Sequence, residues 1–105
     1  MRKSFEIDMR ADGGVLVARV AGELDLTARD TLTESLQAGV ADPDVDRLVV
    51  DMAGVTFCDS SGLGALLDVR RAAAEADVDM VLRDVSRQVS RLLDLADVDG
   101  WLTRE

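Results

Sequence analysis

The feature that most constrains the fold of this chain is a regular alternation of short apolar segments with segments of helical periodicity. From Val15 onward the order is strand, helix, strand, helix, strand, helix. Parallel strands need a long crossover between them, usually a helix, and such crossovers are right-handed. The sequence therefore predicts an α/β fold, a single domain over residues 1–105 with a mainly parallel sheet of four to five strands and about three helices.

The strand candidates differ in how much of each is apolar. Phe5, Ile7 and Met9 alternate with polar residues, and the turn at 12–14 leads into the nearly continuous apolar run 15–20. The first strand is therefore predicted to be an antiparallel edge, and the second to be covered on both faces. The remaining strand candidates are residues 47–52, 78–82 and, as a short edge strand, 98–102.

The helix candidates carry apolar residues every third or fourth position. The first is predicted to begin at Thr27 as N-cap, with Asp30 three residues on, and to end at Gly39 and residues 42–44. Ser86 is the predicted cap of the third. The apolar positions are Ala28, Leu32, Leu36 and Val40 in the first helix, Leu63, Leu66, Leu67, Val69, Ala73 and Ala74 in the second, and, as an inner face, Val89, Leu92, Leu93 and Ala96 in the third.

Composition excludes several classes of function. The net charge is −9 and Lys3 is the only lysine, whereas a nucleic-acid-binding face needs clustered cations. Histidine is absent, which removes hydrolases with a histidine base and histidine metal sites. With Cys58 as the single cysteine and no long apolar run, we expect a cytoplasmic protein with no internal disulfide, cofactor, metal or membrane insertion.

Residues 51–67 form the candidate functional segment. They predict the end of a buried strand, a compact loop, and a helix opened by Ser60 and Ser61. The first N–H groups of a helix lack partners within it, so hydroxyls and anions are both favoured there. Gly62 and Gly64 each cost about 1 kcal/mol of helix propensity relative to alanine, which indicates close approach by another molecule.

Two other residues of this segment, Asp51 and Cys58, have alternative interpretations. Asp51 ends a central strand, like the phosphoacceptor of response-regulator receiver domains. Those domains also need an acidic pair after an early strand and a lysine on a late strand, and this chain has neither. Cys58 stands beside Asp59, whose charge disfavours a thiolate, so we interpret it as a small apolar filler. Because the carboxyl ends of parallel strands share one edge, the turn at 22–25 and the loop at 57–61 are predicted to meet there.

The segment 51–64 resembles the signature of STAS-domain anti-sigma factor antagonists. Residues 22–28 resemble the second motif of that family and residues 90–96 its third-helix pattern, so the co-linear match covers nearly the whole chain. It implies a STAS-like fold. Members of the family usually continue into a further helix, whereas this sequence stops at 101–105; we expect Trp101 to pack in its place or to mark a contact surface.

The resemblance implies a regulatory switch and not an enzyme. Such proteins bind an anti-sigma factor that is also a serine kinase of the histidine-kinase-like ATPase fold, which frees the sigma factor. The kinase then phosphorylates the first serine after the aspartate, here Ser60, and a PP2C-type phosphatase restores the active form. Ser61 would be a contact or cap, and Asp25 and Asp59 would lie beside the phosphorylated serine. The implied partner-binding residues are Gly22, Glu23, Asp25, Thr27, Cys58, Asp59, Ser60, Ser61, Gly62, Leu63 and Gly64.

Phosphorylation would add a charge of roughly −1.5 to −2 beside Asp59. We expect the helix start to hold the phosphate without refolding, so that repulsion and bulk disrupt the interface. Two other functions stay open. The first is a non-switching STAS scaffold or sensing module in a signalling or lipid-transport complex, and the second is a receiver modified on Asp51. We expect the chain to be a monomer or weak dimer.

Overall fold

The computed structural model describes residues 5–97 and 100–105, which form five strands and three helices. The elements in chain order are β1 (Phe5–Asp12), β2 (Val15–Leu24), α1 (Leu26–Ala41), β3 (Arg47–Cys58), α2 (Ser60–Glu75), β4 (Asp79–Arg83), α3 (Arg87–Ala96) and β5 (Thr103–Arg104). The predicted alternation of strands and helices is confirmed.

The five strands form one sheet in the order β1-β2-β3-β4-β5. β1 pairs antiparallel with β2, and the other pairs are parallel. Each crossover from β2 onward therefore joins a strand to its immediate neighbour, always in the same direction across the sheet. Because right-handed crossovers of this kind put their helices on one side, α1, α2 and α3 all cover the same face of the sheet. The predicted antiparallel edge and mainly parallel sheet are therefore confirmed.

The core lies between that face and the three helices. The residues of α1 predicted as its apolar stripe are all buried, and Ser86 caps α3 by accepting from Val89 N at 3.2 Å. The prediction that β2 is covered on both faces is wrong: Arg19 is exposed, because none of the three described helices packs on the opposite side of the sheet. The strand residues in the core are Leu16, Ala18, Val20, Leu24, Leu48, Val50, Met52, Val55, Cys58, Met80 and Leu82.

The strand β3 is longer than predicted and is continuous with the functional segment. It runs to Cys58, so the compact loop predicted after Met52 does not exist. Asp51 is therefore not at a strand end. Its carboxylate lies on the open face of the sheet between Arg83 at 3.5 Å and Arg19 at 3.9 Å, and its side chain is 14% exposed. Asp51 therefore forms ion pairs with both arginines on the sheet face.

The C-terminal residues differ in two places from the prediction. The last strand is Thr103–Arg104 and not 98–102, of which residues 98 and 99 lie outside the described part of the chain. Ala96 is exposed, not inward-facing, because α3 ends there and Asp97 turns the chain by accepting from the backbone N–H groups of the next segment. Trp101 packs against the Arg70 guanidinium, which lies 5.0 Å from the centre of its ring.

Candidate functional site

Two strand ends meet at one edge of the sheet and each leads directly into a helix. Leu24 and Cys58 are register partners at the ends of β2 and β3, and Asp59 N donates to Leu24 O at 3.2 Å. Asp25 and Asp59 directly follow the two strands and are therefore neighbours. The predicted meeting of the two segments is confirmed, and we call this edge the rim.

The start of α2 is organised by Asp59. Its Oδ1 accepts from Ser61 N at 2.9 Å and Gly62 N at 3.2 Å, and its backbone carbonyl accepts from Leu63 N at 3.0 Å. Asp59 is therefore the N-cap, and the prediction that the serine hydroxyls serve these N–H groups is wrong. A carboxylate one residue upstream reaches them first because its extended backbone, at φ −113° and ψ −170°, points the side chain back over the first turn.

Ser60 is the exposed residue of this helix start. No described residue hydrogen-bonds to its hydroxyl, and the backbone on both sides is fixed, by the end of β3 and by the first turn of α2. It lines an open cleft of about 360 Å³ between α1 and α2, together with Arg29, Ser61, Gly64 and Asp68. The Ser60 hydroxyl is thus presented to solvent from the junction of β3 and α2.

The start of α1 repeats the same arrangement with one difference. Asp25 caps α1, with Oδ1 accepting from Thr27 N at 3.0 Å and Ala28 N at 3.2 Å, so the prediction of Thr27 as N-cap is wrong. Instead the Thr27 hydroxyl donates to Asp25 Oδ1 at 2.6 Å. That bond, with smaller contributions from the backbone N–H groups, holds the pKa of Asp25 below its ordinary value despite partial desolvation.

The glycines of the site have different reasons to be glycine. A Cβ on Gly62 would lie 2.7 Å from Leu24 Cβ and also against the Leu24 carbonyl, so α2 packs on β2 only without a side chain there. Around Gly64 a Cβ would meet nothing within 4 Å. Gly22 has φ +98°, a conformation that favours glycine, at an irregularity in the β2–β3 register. The close approach predicted at Gly62 is therefore made by this chain itself, whereas Gly64 faces open space.

Two of the candidate partner-binding residues have buried side chains. Cys58 is 2% exposed and Leu63 is 3% exposed. Burial, reinforced by the neighbouring charge of Asp59, raises the pKa of the Cys58 thiol to about 11, so the thiol stays protonated at neutral pH. The interpretation of Cys58 as a small apolar filler agrees with this position.

Three residues of the rim were not singled out from the sequence. Leu26 is 67% exposed and Phe57 is 43% exposed, although both are apolar. Arg29 contributes a cation to the cleft beside Ser60. The signal for Leu26 is its place directly after a capping aspartate, outside the buried stripe of α1; Phe57 could not be assigned to the exposed side without knowing that β3 continues to Cys58.

Two absences bear on the chemistry of the site. Over residues 5–97 and 100–105, no group of three or more His, Cys, Asp or Glu side chains converges as a metal site would. Within the same ranges no helix is long and apolar enough to cross a membrane.

Comparison with known proteins identifies the family of this chain. The model of the STAS domain matches residues 6–104. The chain belongs to the STAS domain family. A curated relative, an anti-sigma F factor antagonist from Paenibacillus polymyxa, is 30% identical over 93 residues, covering 89% of this chain and 80% of that protein.

Solved structures of other proteins reproduce the architecture. An anti-sigma factor antagonist from Mycobacterium paratuberculosis superposes with a TM-score of 0.85 at 25% identity, over 96% of this chain and 85% of that chain. Two matches below 25% identity show the fold alone. The Bacillus cell fate determinant SpoIIAA in its phosphorylated form has a TM-score of 0.74 at 19% identity, over 95% of this chain and 91% of that one. Murine solute carrier 26 family member A9, an anion transporter, has a TM-score of 0.74 at 21% identity, over 85% of this chain and 15% of the transporter.

Proposed function

We propose that this STAS chain, as one domain over residues 1–105, is an anti-sigma factor antagonist switched by phosphorylation of Ser60. The unmodified form binds, in the cytoplasm, an anti-sigma factor that is also a serine kinase of the histidine-kinase-like ATPase fold, and so frees a sigma factor. The kinase then phosphorylates Ser60 and the complex dissociates. A PP2C-type phosphatase removes the phosphate. The observation that carries the proposal is the exposed Ser60 hydroxyl, which no described residue bonds, at the capped start of α2 in a chain whose relative is named an anti-sigma F factor antagonist.

The choice of Ser60 over Ser61 rests on exposure. Ser60 is exposed and immediately follows the cap, whereas Ser61 is half-buried and its N–H is bonded to Asp59. A kinase must reach the acceptor oxygen in line with the phosphoryl group it transfers, so an exposed hydroxyl on fixed backbone is the better substrate. In the transfer, the Ser60 hydroxyl loses its proton and takes the γ-phosphoryl group of ATP, and ADP leaves.

The partner would supply the catalytic groups. The chain has no histidine, and the cleft beside Ser60 is lined by serines, a glycine, one arginine and one aspartate. The arginine is no general base, because its guanidinium stays protonated. The exposed Ser60 hydroxyl suits this surface to be the substrate of a partner kinase.

The rim also offers contact area for the partner. Leu26 and Phe57 are exposed apolar side chains on the two segments that meet beside Ser60. Aromatic side chains such as Phe57 are enriched in protein interfaces, and Leu26 adds apolar area beside it. Of the candidate partner-binding residues, Glu23, Thr27 and Ser60 are exposed, Gly22, Asp25, Asp59, Ser61 and Gly64 are half-buried, and Cys58, Gly62 and Leu63 are buried and would shape the surface from beneath.

The proposal is tested with the serine-kinase anti-sigma factors of the source organism, each incubated with this chain and Mg-ATP. We expect mass spectrometry to locate a single phosphate on Ser60 and size-exclusion chromatography to show loss of the complex as it appears. Ser60→Ala should bind without being modified, and Ser61→Ala should still be modified. Phosphate on Ser61 or Asp51, or undiminished binding by the phosphorylated chain, would contradict the proposal.

A second candidate is a STAS module that binds without switching. The match to an anion transporter, in which the shared region is a small part of a longer chain, favours it. In the same experiment this candidate predicts a complex that is stable to Mg-ATP and a chain that remains unphosphorylated. The two functions are therefore separated by one measurement.

A further inference from the structure

One cation lies in the cleft beside Ser60. Arg29, in the first turns of α1, lines the same cleft of about 360 Å³ as Ser60, and the remaining lining residues are Ser61, Gly64 and Asp68. Arg29 is exposed, and among the described residues no carboxylate lies within ion-pair distance of its guanidinium. Its charge is therefore available to an anion placed in the cleft.

Three backbone N–H groups at the start of α2 are already used. Ser61 N and Gly62 N both donate to the Asp59 carboxylate, and Leu63 N donates to the Asp59 carbonyl. A phosphate on Ser60 would have to displace a carboxylate that is attached to the adjacent residue. This helix start therefore stabilises an anion much less than a helix N-terminus whose N–H groups are all free.

The other charges around Ser60 oppose a phosphate. Asp59 precedes it in sequence and Asp68 lines the same cleft, so a dianion on Ser60 would face two carboxylates. Like charges at short range are unfavourable, and a guanidinium on the opposite wall would offset them. Arginine suits this role because its planar fork donates two parallel hydrogen bonds to phosphate oxygens.

We propose that Arg29 is the phosphate-binding residue of the phosphorylated form, pairing with the phosphate on Ser60 across the α1–α2 cleft. The inference rests on Ser60 being the residue that is modified. The phosphate is drawn toward α1 and not onto the N-terminus of α2. Phosphorylation then changes the charge of the rim in two ways. It adds negative charge at Ser60, and it pairs the Arg29 guanidinium with the phosphate so that this cation no longer binds a partner.

The test uses phosphoserine inserted at position 60 during translation, so that no kinase is needed. The second ionisation of the phosphate is followed by ³¹P NMR over a pH titration. A neighbouring cation favours the dianion, so we expect Arg29→Gln to raise this pKa by about half a unit or more. Arg29→Lys should keep most of the effect, and added salt should shrink it.

Arg10→Gln is the matched control. It removes the same charge from β1, where the side chain is 82% exposed and lies outside the cleft, and should leave the phosphate pKa unchanged. An equal pKa in the parent and Arg29→Gln would overturn the pairing and assign the phosphate to α2 or to solvent. Because phosphoserine is inserted directly, a chain that no kinase modifies would contradict the proposed function while leaving this pairing measurable.

Discussion

The starts of α1 and α2 are two versions of one structure. Asp25 has φ −116° and ψ −168°, and Asp59 has φ −113° and ψ −170°. Each carboxylate accepts from the N–H groups two and three residues on, and the two aspartates follow paired residues of adjacent strands. The capping chemistry is therefore common to both helices and does not by itself mark the functional one.

The difference lies in the residues that follow each cap. After Asp25 comes the apolar Leu26, and the Thr27 hydroxyl is bonded to the cap itself. After Asp59 comes Ser60, whose hydroxyl has no bonding partner among the described residues. The comparison teaches that the hydroxyl near the start of α1 is bonded to its own cap, whereas the Ser60 hydroxyl of α2 has no partner among the described residues.

The largest effect is expected when charge is placed at the free hydroxyl. Ser60→Asp should weaken binding of the anti-sigma partner roughly 100-fold, about 2.7 kcal/mol, because the carboxylate adds negative charge and bulk to the contact surface beside Asp59. Isothermal titration calorimetry measures the affinity. Ser60→Ala should bind at least as well as the parent chain.

Two controls isolate this local effect. Gln37→Glu adds the same charge to an exposed position further along α1 and should bind normally. The melting temperature of Ser60→Asp should stay close to that of the parent, since the side chain is exposed. Normal partner binding by Ser60→Asp, or its unfolding, would refute the local switch.

The next largest effect is expected at the third residue of each helix, where the two helix starts differ: α1 has Ala28 and α2 has Gly62. Gly62→Ala should destabilise the fold by about 2 kcal/mol, because its Cβ would meet Leu24 at 2.7 Å and the backbone must shift. Gly64→Ala is the control: it has open space and should be neutral or stabilising by up to about 1 kcal/mol. Urea unfolding measures both, and a tolerated Gly62→Ala would show that α2 does not need this close approach to β2.

A smaller effect is expected from the cap of α2. Asp59→Ala removes the acceptor of two N–H groups and should cost about 1 kcal/mol, lowering the melting temperature by about 5 °C. Asp59→Asn retains an acceptor oxygen and should cost only a few tenths of that. If Asp59→Ala were as stable as the parent, the serine hydroxyls would be able to cap α2 on their own.

The smallest effect concerns the bond that α1 has and α2 lacks. Thr27→Val removes the hydroxyl at 2.6 Å from Asp25 and should raise the pKa of Asp25 toward its ordinary 3.8. Because the folded-state pKa is lowered, the stabilisation is fully present above pH 3.8 and is lost as the pH falls through the folded value. Carboxyl ¹³C NMR titration measures the pKa, and an unchanged value would show that another group holds it down.

The sequence allowed the fold and the place of the site to be predicted, but not its local geometry. The alternating periodicity was sufficient for the sheet and for the stripe of α1, since burial of an apolar face is decided by spacing along one element. The caps were misassigned because serine, threonine and aspartate are all good caps, and only backbone geometry decides which oxygen reaches the N–H groups. The loop predicted before Ser60 was wrong because pairing with β2 extends β3 through polar and glycine residues that read as a loop.

By itself the sequence determined an α/β fold without histidine chemistry, and its resemblance to a known family made Ser60 the candidate acceptor. The tertiary structure decided what surrounds that serine. It packs Gly62 on Leu24 of β2, and it places Arg29 of α1 on the cleft that Ser60 lines. These relations join residues more than thirty positions apart, and no local pattern encodes them, because they depend on how the two helices lie against the same sheet.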